Sequence, residues 1–147
     1  MKKKLHLSVL LFILILSSLH KVGAQTIDWQ PIFLQVTGVN TMDGVEASFQ
    51  INTCNGEDVI YIKFINHNKY NVKLEWFDAV FSQELKWINK DQASDKKSLV
   101  LPAYKEAKGE CSSKLYPELI VKSKDFVADK KDIKRYSTSQ LKVIAVQ

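Results

Sequence analysis

From residue 32 onward the chain reads as short apolar runs separated by polar turns. Ile32–Val39, "IFLQVTGV", is the first run. "NTMDG" follows, and Asp43-Gly44 is the kind of pair that closes a tight hairpin. "VEASFQIN" then alternates cleanly: Val45, Ala47, Phe49 and Ile51 face one way, Glu46, Ser48, Gln50 and Asn52 the other. Such alternation predicts a strand with one core face and one wet face. "CNGED" is the next turn, and it holds Cys54. "VIYIKFIN" is apolar on both faces, which predicts a central strand. After the turn "NHNKYN", "VKLEWF" alternates again with Val72, Leu74 and Trp76 inward.

The pattern is less regular further on. In Asp78–Trp87, "DAVFSQELKW", the residues Val80, Phe81, Leu85 and Ile88 have some helical spacing, and strand continuation fits as well. "NKDQASDKK" predicts an exposed loop, and "SLVLPA" a short strand stopped by Pro102. "AYKEAKGECSS" is polar and leaves room for a strand that delivers Cys111. "ELIVKS" is a further short strand. Asp125–Ser139 reads as a charged connection with room for a helical turn, and "LKVIAV" closes the chain as a strand. The sum is seven or eight strands, with helix minor at most. That spacing of strands and turns predicts an all-β, mostly antiparallel fold, a sandwich or barrel.

The first 24 residues change the picture. Met1-Lys2-Lys3-Lys4 is a positive start, Leu7–Leu19 is an apolar stretch broken only by serines, and Val22-Gly23-Ala24 supplies small residues. This is the three-part pattern of a secretory signal peptide cleaved after Ala24. The apolar stretch is shorter than the about 20 residues of a membrane span. Residues 25–147 then form one domain of ordinary size, with no membrane span once the leader is removed. The leader holds four of the 21 basic residues and none of the 16 acidic ones, which leaves 17 against 16. The basic character is therefore mostly a targeting feature, and a nucleic-acid partner loses its support. Arg135 is the only arginine. Export also bears on Cys54 and Cys111, the only two cysteines, because an oxidising compartment predicts that they pair.

The catalytic inventory is thin. His67 is the one histidine left after residue 24, and it lies in a polar turn. A zinc site is poorly supplied, and a base needs a positioned partner. There is no G-x-S-x-G and no glycine-rich phosphate cradle; after residue 24 the glycines are the isolated Gly38, Gly44, Gly56 and Gly109. "NGED" with Asp43 lacks the full calcium-loop pattern. No metal and no cofactor are expected. Glu57, Asp58, Glu75, Asp78 and Glu84 could in principle line a cleft for glycoside hydrolysis, but that chemistry demands a defined separation of two carboxyl groups.

The order of leader, "CNGED" turn, "IKFIN" strand, "LVLPA" segment and second cysteine resembles small exported bacterial proteins built on an immunoglobulin-like β-sandwich. The likeness spans Ile32 to Val146. It implies a sandwich and no particular activity, since that architecture hosts many functions. It departs from true immunoglobulin domains at three points. Cys54 sits in a turn, Trp76 follows 22 residues later, and Gly109 stands two residues before Cys111.

These features predict a secreted or periplasmic, non-catalytic protein that binds a protein or glycan at the cell envelope or outside the cell. The alternatives are an exported carboxylate-dependent hydrolase and an accessory subunit of an envelope complex that pairs by an edge strand. Alternation places Phe77 outward when Trp76 is inward. Phe77, Phe81, Trp87 and Tyr104 are therefore the candidate contact surface.

Overall fold

Two antiparallel sheets meet over one apolar core, with no α-helix among the described residues. The computed structural model describes residues 28–32 and 41–146. The expected signal peptide and nearly all of the Ile32–Val39 run lie outside them. Ten strands follow in order: β1 (Gln30–Pro31), β2 (Thr41–Met42), β3 (Val45–Cys54), β4 (Glu57–Asn66), β5 (Asn71–Ser82), β6 (Trp87–Asn89), β7 (Lys97–Leu101), β8 (Glu106–Lys108), β9 (Ile120–Lys122) and β10 (Ile133–Val146). The first sheet runs β1-β3-β4-β8, with β2 also on β3 and β9 also on β4. The second runs β10-β5-β6, with β7 also on β5.

The count exceeds eight because edges are split. β1 and β2 both pair with β3, β8 and β9 with β4, and β6 and β7 with β5. Short, interrupted edge strands offer less template for pairing with another chain. β4 is central, flanked by β3 on one side and by β8 and β9 on the other, as its two apolar faces require.

Hairpin chemistry sets the registers. Asp43 and Gly44 both have positive φ (47° and 74°), as do Asn55 and Gly56 (51° and 82°). Two such residues in succession make the type I′ loop whose twist matches the strands. A Cβ on Gly44 would also meet the Asn68 side chain at 2.4 Å. Cys54 is the last residue of β3, paired with Glu57, so only Asn55 and Gly56 form the loop. The reading of Cys54 as a turn residue is corrected accordingly. Cys54 and Cys111 are bonded, and they close a separation of 57 residues.

The inward faces alternate as expected. Val45, Ala47 and Phe49 of β3 are buried, as are Val72, Leu74 and Trp76 of β5. Ile51 is only half-buried, near the Asn55-Gly56 turn that closes the β3–β4 hairpin. Asp78–Trp87 resolves as strand continuation, since β5 runs to Ser82 and turns back into β6. The charged connection is shorter than expected: β10 begins at Ile133, where it pairs with Ser82. Tyr136 and Thr138 point inward and are buried, while Ser137 and Ser139 lie on the opposite face. The polar look of "YSTS" hid an ordinary alternating strand.

Asp78 continues the inward row of β5 and is buried. Its Oδ1 accepts hydrogen bonds from Tyr136 Oη (2.6 Å) and Trp76 Nε1 (3.1 Å), and its Oδ2 faces Lys97 Nζ at 2.7 Å. Lys97 also donates to the Glu118 carbonyl at 2.8 Å. One carboxylate thus ties β5, β7, β10 and the turn before β9. Asn66 does similar work at the other end of the molecule. Its Nδ2 donates to the carbonyls of Tyr70, Leu101 and Pro102, and its Oδ1 accepts from the Asn68 N–H.

Replacing Asp78 by Ala strands the buried Trp76 N–H and Tyr136 O–H and leaves Lys97 unpaired. The expected loss is about 3–5 kcal/mol, against about 1.5–3 kcal/mol for Tyr136→Phe, both read from urea denaturation. Equal, small losses would show that the network is solvated. Reduction, or the Cys54→Ala/Cys111→Ala pair, should lower stability by about 4 kcal/mol on the chain-entropy account of so long a loop.

Candidate functional site

The second sheet carries a cross-strand row at one end. Phe81 of β5 pairs with Trp87 of β6 on one side and with Arg135 of β10 on the other. The Phe81 and Trp87 rings lie 5.1 Å apart at a tilt. Cross-strand neighbours of this kind hold each other's rotamers. Beside the row, β1 brings Gln30 and Pro31, and β3 brings Phe49. Together with Lys134 these residues enclose an open groove of about 590 Å³.

The floor is firm. Phe49 is buried and packs on Tyr136 with ring centroids 6.0 Å apart. The wall is accessible, with Trp87 52% exposed. The rim is cationic: Lys134 Nζ stands 5.9 Å from the Phe81 ring centre, within cation–π range. Arg135 Nη2 donates to the carbonyls of Pro31 and Ile32, which fixes the guanidinium where the two sheets' edges meet. Partial burial lowers the Arg135 pKa from its ordinary value, and a guanidinium stays charged all the same.

Of the four residues expected to form a contact surface, the structure joins two. Phe81 and Trp87 are in contact. Phe77 lies four residues away on the same face of β5, half-buried opposite Ser139. Tyr104 is 68% exposed but follows β7, whose Leu101 pairs with Val72. Nine residues of β5 separate that pairing from Phe81, roughly 30 Å at about 3.3 Å per residue. Tyr104 is therefore not part of the groove. Pro31, Phe49, Lys134 and Arg135 were missed, because they come from strands far apart in sequence. The one available signal was that Arg135 is the sole arginine.

The acids fall into separate settings. Glu75 faces outward and Asp78 inward on β5, so the two do not flank a common cleft. Glu84 is exposed in the β5–β6 turn with Lys86 at 3.1 Å. Glu57 is held below its ordinary pKa by hydrogen bonds from Lys124 and Lys122, and Asp58 by Lys130 and Thr53. A second cleft of about 360 Å³ includes Lys90, Lys97, Asp78 and Asp125, where Lys97 pairs with Asp78 and Lys90 with Asp125. His67 is half-exposed, 3.3 Å from Glu46. Among the described residues no three His, Cys, Asp or Glu side chains cluster as metal ligands, and no helix is long and apolar enough to cross a membrane.

No family model matches the chain, nor does any curated protein or solved structure.

Lys73 (2.7 Å) and Lys96 hold the Glu75 carboxyl down to about 2, against an ordinary 4.5. A carboxylate depressed by folding adds stability above its unfolded pKa and loses it as the pH falls through the folded value. Acid unfolding should therefore steepen between pH 4.5 and about 2. Glu75→Gln should flatten that limb in a series of urea midpoints, and an unchanged limb would assign it to Glu57 and Asp58.

Proposed function

We propose that this chain is a secreted or periplasmic, non-catalytic protein with an immunoglobulin-like β-sandwich, which binds a partner protein in the groove beside Phe81 and Trp87. The observation that carries this reading is the pairing of a half-exposed tryptophan with a firm apolar floor. Tryptophan next to buried apolar surface is the usual anchor of a protein interface. A glycan site would set hydrogen-bonding side chains around its aromatic platform. Here Pro31, Phe49 and Phe81 surround Trp87, and the polar lining is Gln30 with the cations Lys134 and Arg135, without a carboxylate to accept from sugar hydroxyls. That balance favours a protein over a glycan.

Three further features support the reading. The N-terminal leader pattern directs export. The bonded Cys54–Cys111 pair suits an oxidising compartment. Two antiparallel sheets over one core give the rigid scaffold on which such a surface is held.

The test is affinity capture from envelope and culture-medium fractions with the wild type, Trp87→Ala and Tyr104→Ala. Trp87→Ala should lose the captured partner about tenfold or more, while Tyr104→Ala retains it. Equal capture by all three proteins, each shown folded by circular dichroism, would overturn the assignment of the groove.

A further inference from the structure

Nine lysines (73, 86, 90, 96, 97, 108, 122, 124 and 130) face a carboxylate within ion-pair distance. Seven described lysines (63, 69, 105, 114, 131, 134 and 142) and Arg135 face no described carboxylate within ion-pair distance, and two of these unmatched cations, Lys134 and Arg135, share the groove. These two cations line the apolar groove that holds the exposed Trp87.

Both cations are also aimed. Lys134 is exposed and free to extend into solvent, yet its ammonium stands over Phe81. Arg135 spends one nitrogen, Nη2, on the Pro31 and Ile32 carbonyls. A guanidinium carries five N–H donors, so the others remain for a guest. A fixed guanidinium loses little conformational freedom when it binds a carboxylate, and its Nε and Nη1 donors can each hold a single carboxylate oxygen. The adjoining apolar floor lowers the local dielectric and strengthens that attraction. Two cations, one of them the single arginine, are too few for tracking a phosphodiester backbone, which takes a run of contacts.

We infer that the groove recognises an acidic, apolar-anchored segment of the partner protein, with an aliphatic or aromatic side chain seated on Phe49, Phe81 and Trp87 and a neighbouring carboxylate held by Lys134 and Arg135. This inference rests on the reading of the groove as a protein-binding site. It adds the chemistry of the guest: the apolar side chain supplies the contact area, and the acid supplies orientation and selectivity.

The experiment uses the folded protein without its leader and two fluorescein-labelled peptides: Gly-Glu-Leu-Phe-Glu-Gly and its Gln counterpart, both amidated. Fluorescence anisotropy should show the Glu peptide binding at least about threefold tighter than the Gln peptide. Added salt should narrow the gap. Lys134→Glu, a change at an exposed position, leaves Arg135 facing a new carboxylate and should abolish the preference for the Glu peptide over the Gln peptide. Equal binding of the Glu and Gln peptides, still abolished by Trp87→Ala, overturns the acidic preference and leaves the groove as a protein site. Binding of dodecanoate with no peptide binding assigns the groove to a lipid carboxylate and also overturns the inference. If no peptide binds, the inference fails, and the earlier reading fails with it only when Trp87→Ala leaves envelope capture unchanged.

Discussion

Asp78 places a carboxylate in the interior of a two-sheet protein, and the surrounding structure is arranged to keep it there. A buried carboxylate without partners is too costly to persist. Its two oxygens collect Tyr136, Trp76 and Lys97 from three strands. Satisfying one group therefore fixes β5 against β7 on one side and β10 on the other. Hydrophobic burial alone would tolerate small slips between such surfaces, because it has no direction. The Asp78 network supplies the direction, and it allows one register of the Tyr136 strand.

The groove depends on that register. Tyr136 is held by Asp78 on one side and packs on Phe49 on the other. Phe49 is the floor of the groove. With Tyr136 inward, alternation turns Arg135 to the opposite face, where it lies across from Phe81. The inward Tyr136 thus sets the face on which Arg135 meets the Phe81 wall. The split edges serve the same end. β6 is only three residues long, and it brings Trp87 beside Phe81 before β7 takes over the same edge of β5.

Much of the fold was legible because its cause is local. The alternation of Val45 to Ile51 and of Val72 to Trp76 follows from the two-residue period of a strand. Asp43-Gly44 and Asn55-Gly56 announce hairpins because positive φ is cheap for those residues. The pairing of Cys54 with Cys111 followed from the number of cysteines and the leader pattern. Other features were hidden. "IKRYSTS" reads as a polar connection because Thr138 and Tyr136 bury polar atoms along with carbon. Asp78 reads as one more surface acid because nothing in its neighbours announces Lys97 or Tyr136.

Of the proposed site, Phe81 and Trp87 were visible in the sequence as aromatics flanking an uncertain segment. Tyr104 looked equivalent to them and lies at the far end of β5. Sequence alone determined the β class, the main hairpins and the alternating core faces, since each depends on residues adjacent along the chain. Tertiary structure decided which aromatics meet, which acid is buried, and that Arg135 and Lys134 share a groove with Pro31 and Phe49. Those contacts join residues up to about a hundred positions apart. Their positions come from sheet packing, which no short-range pattern records.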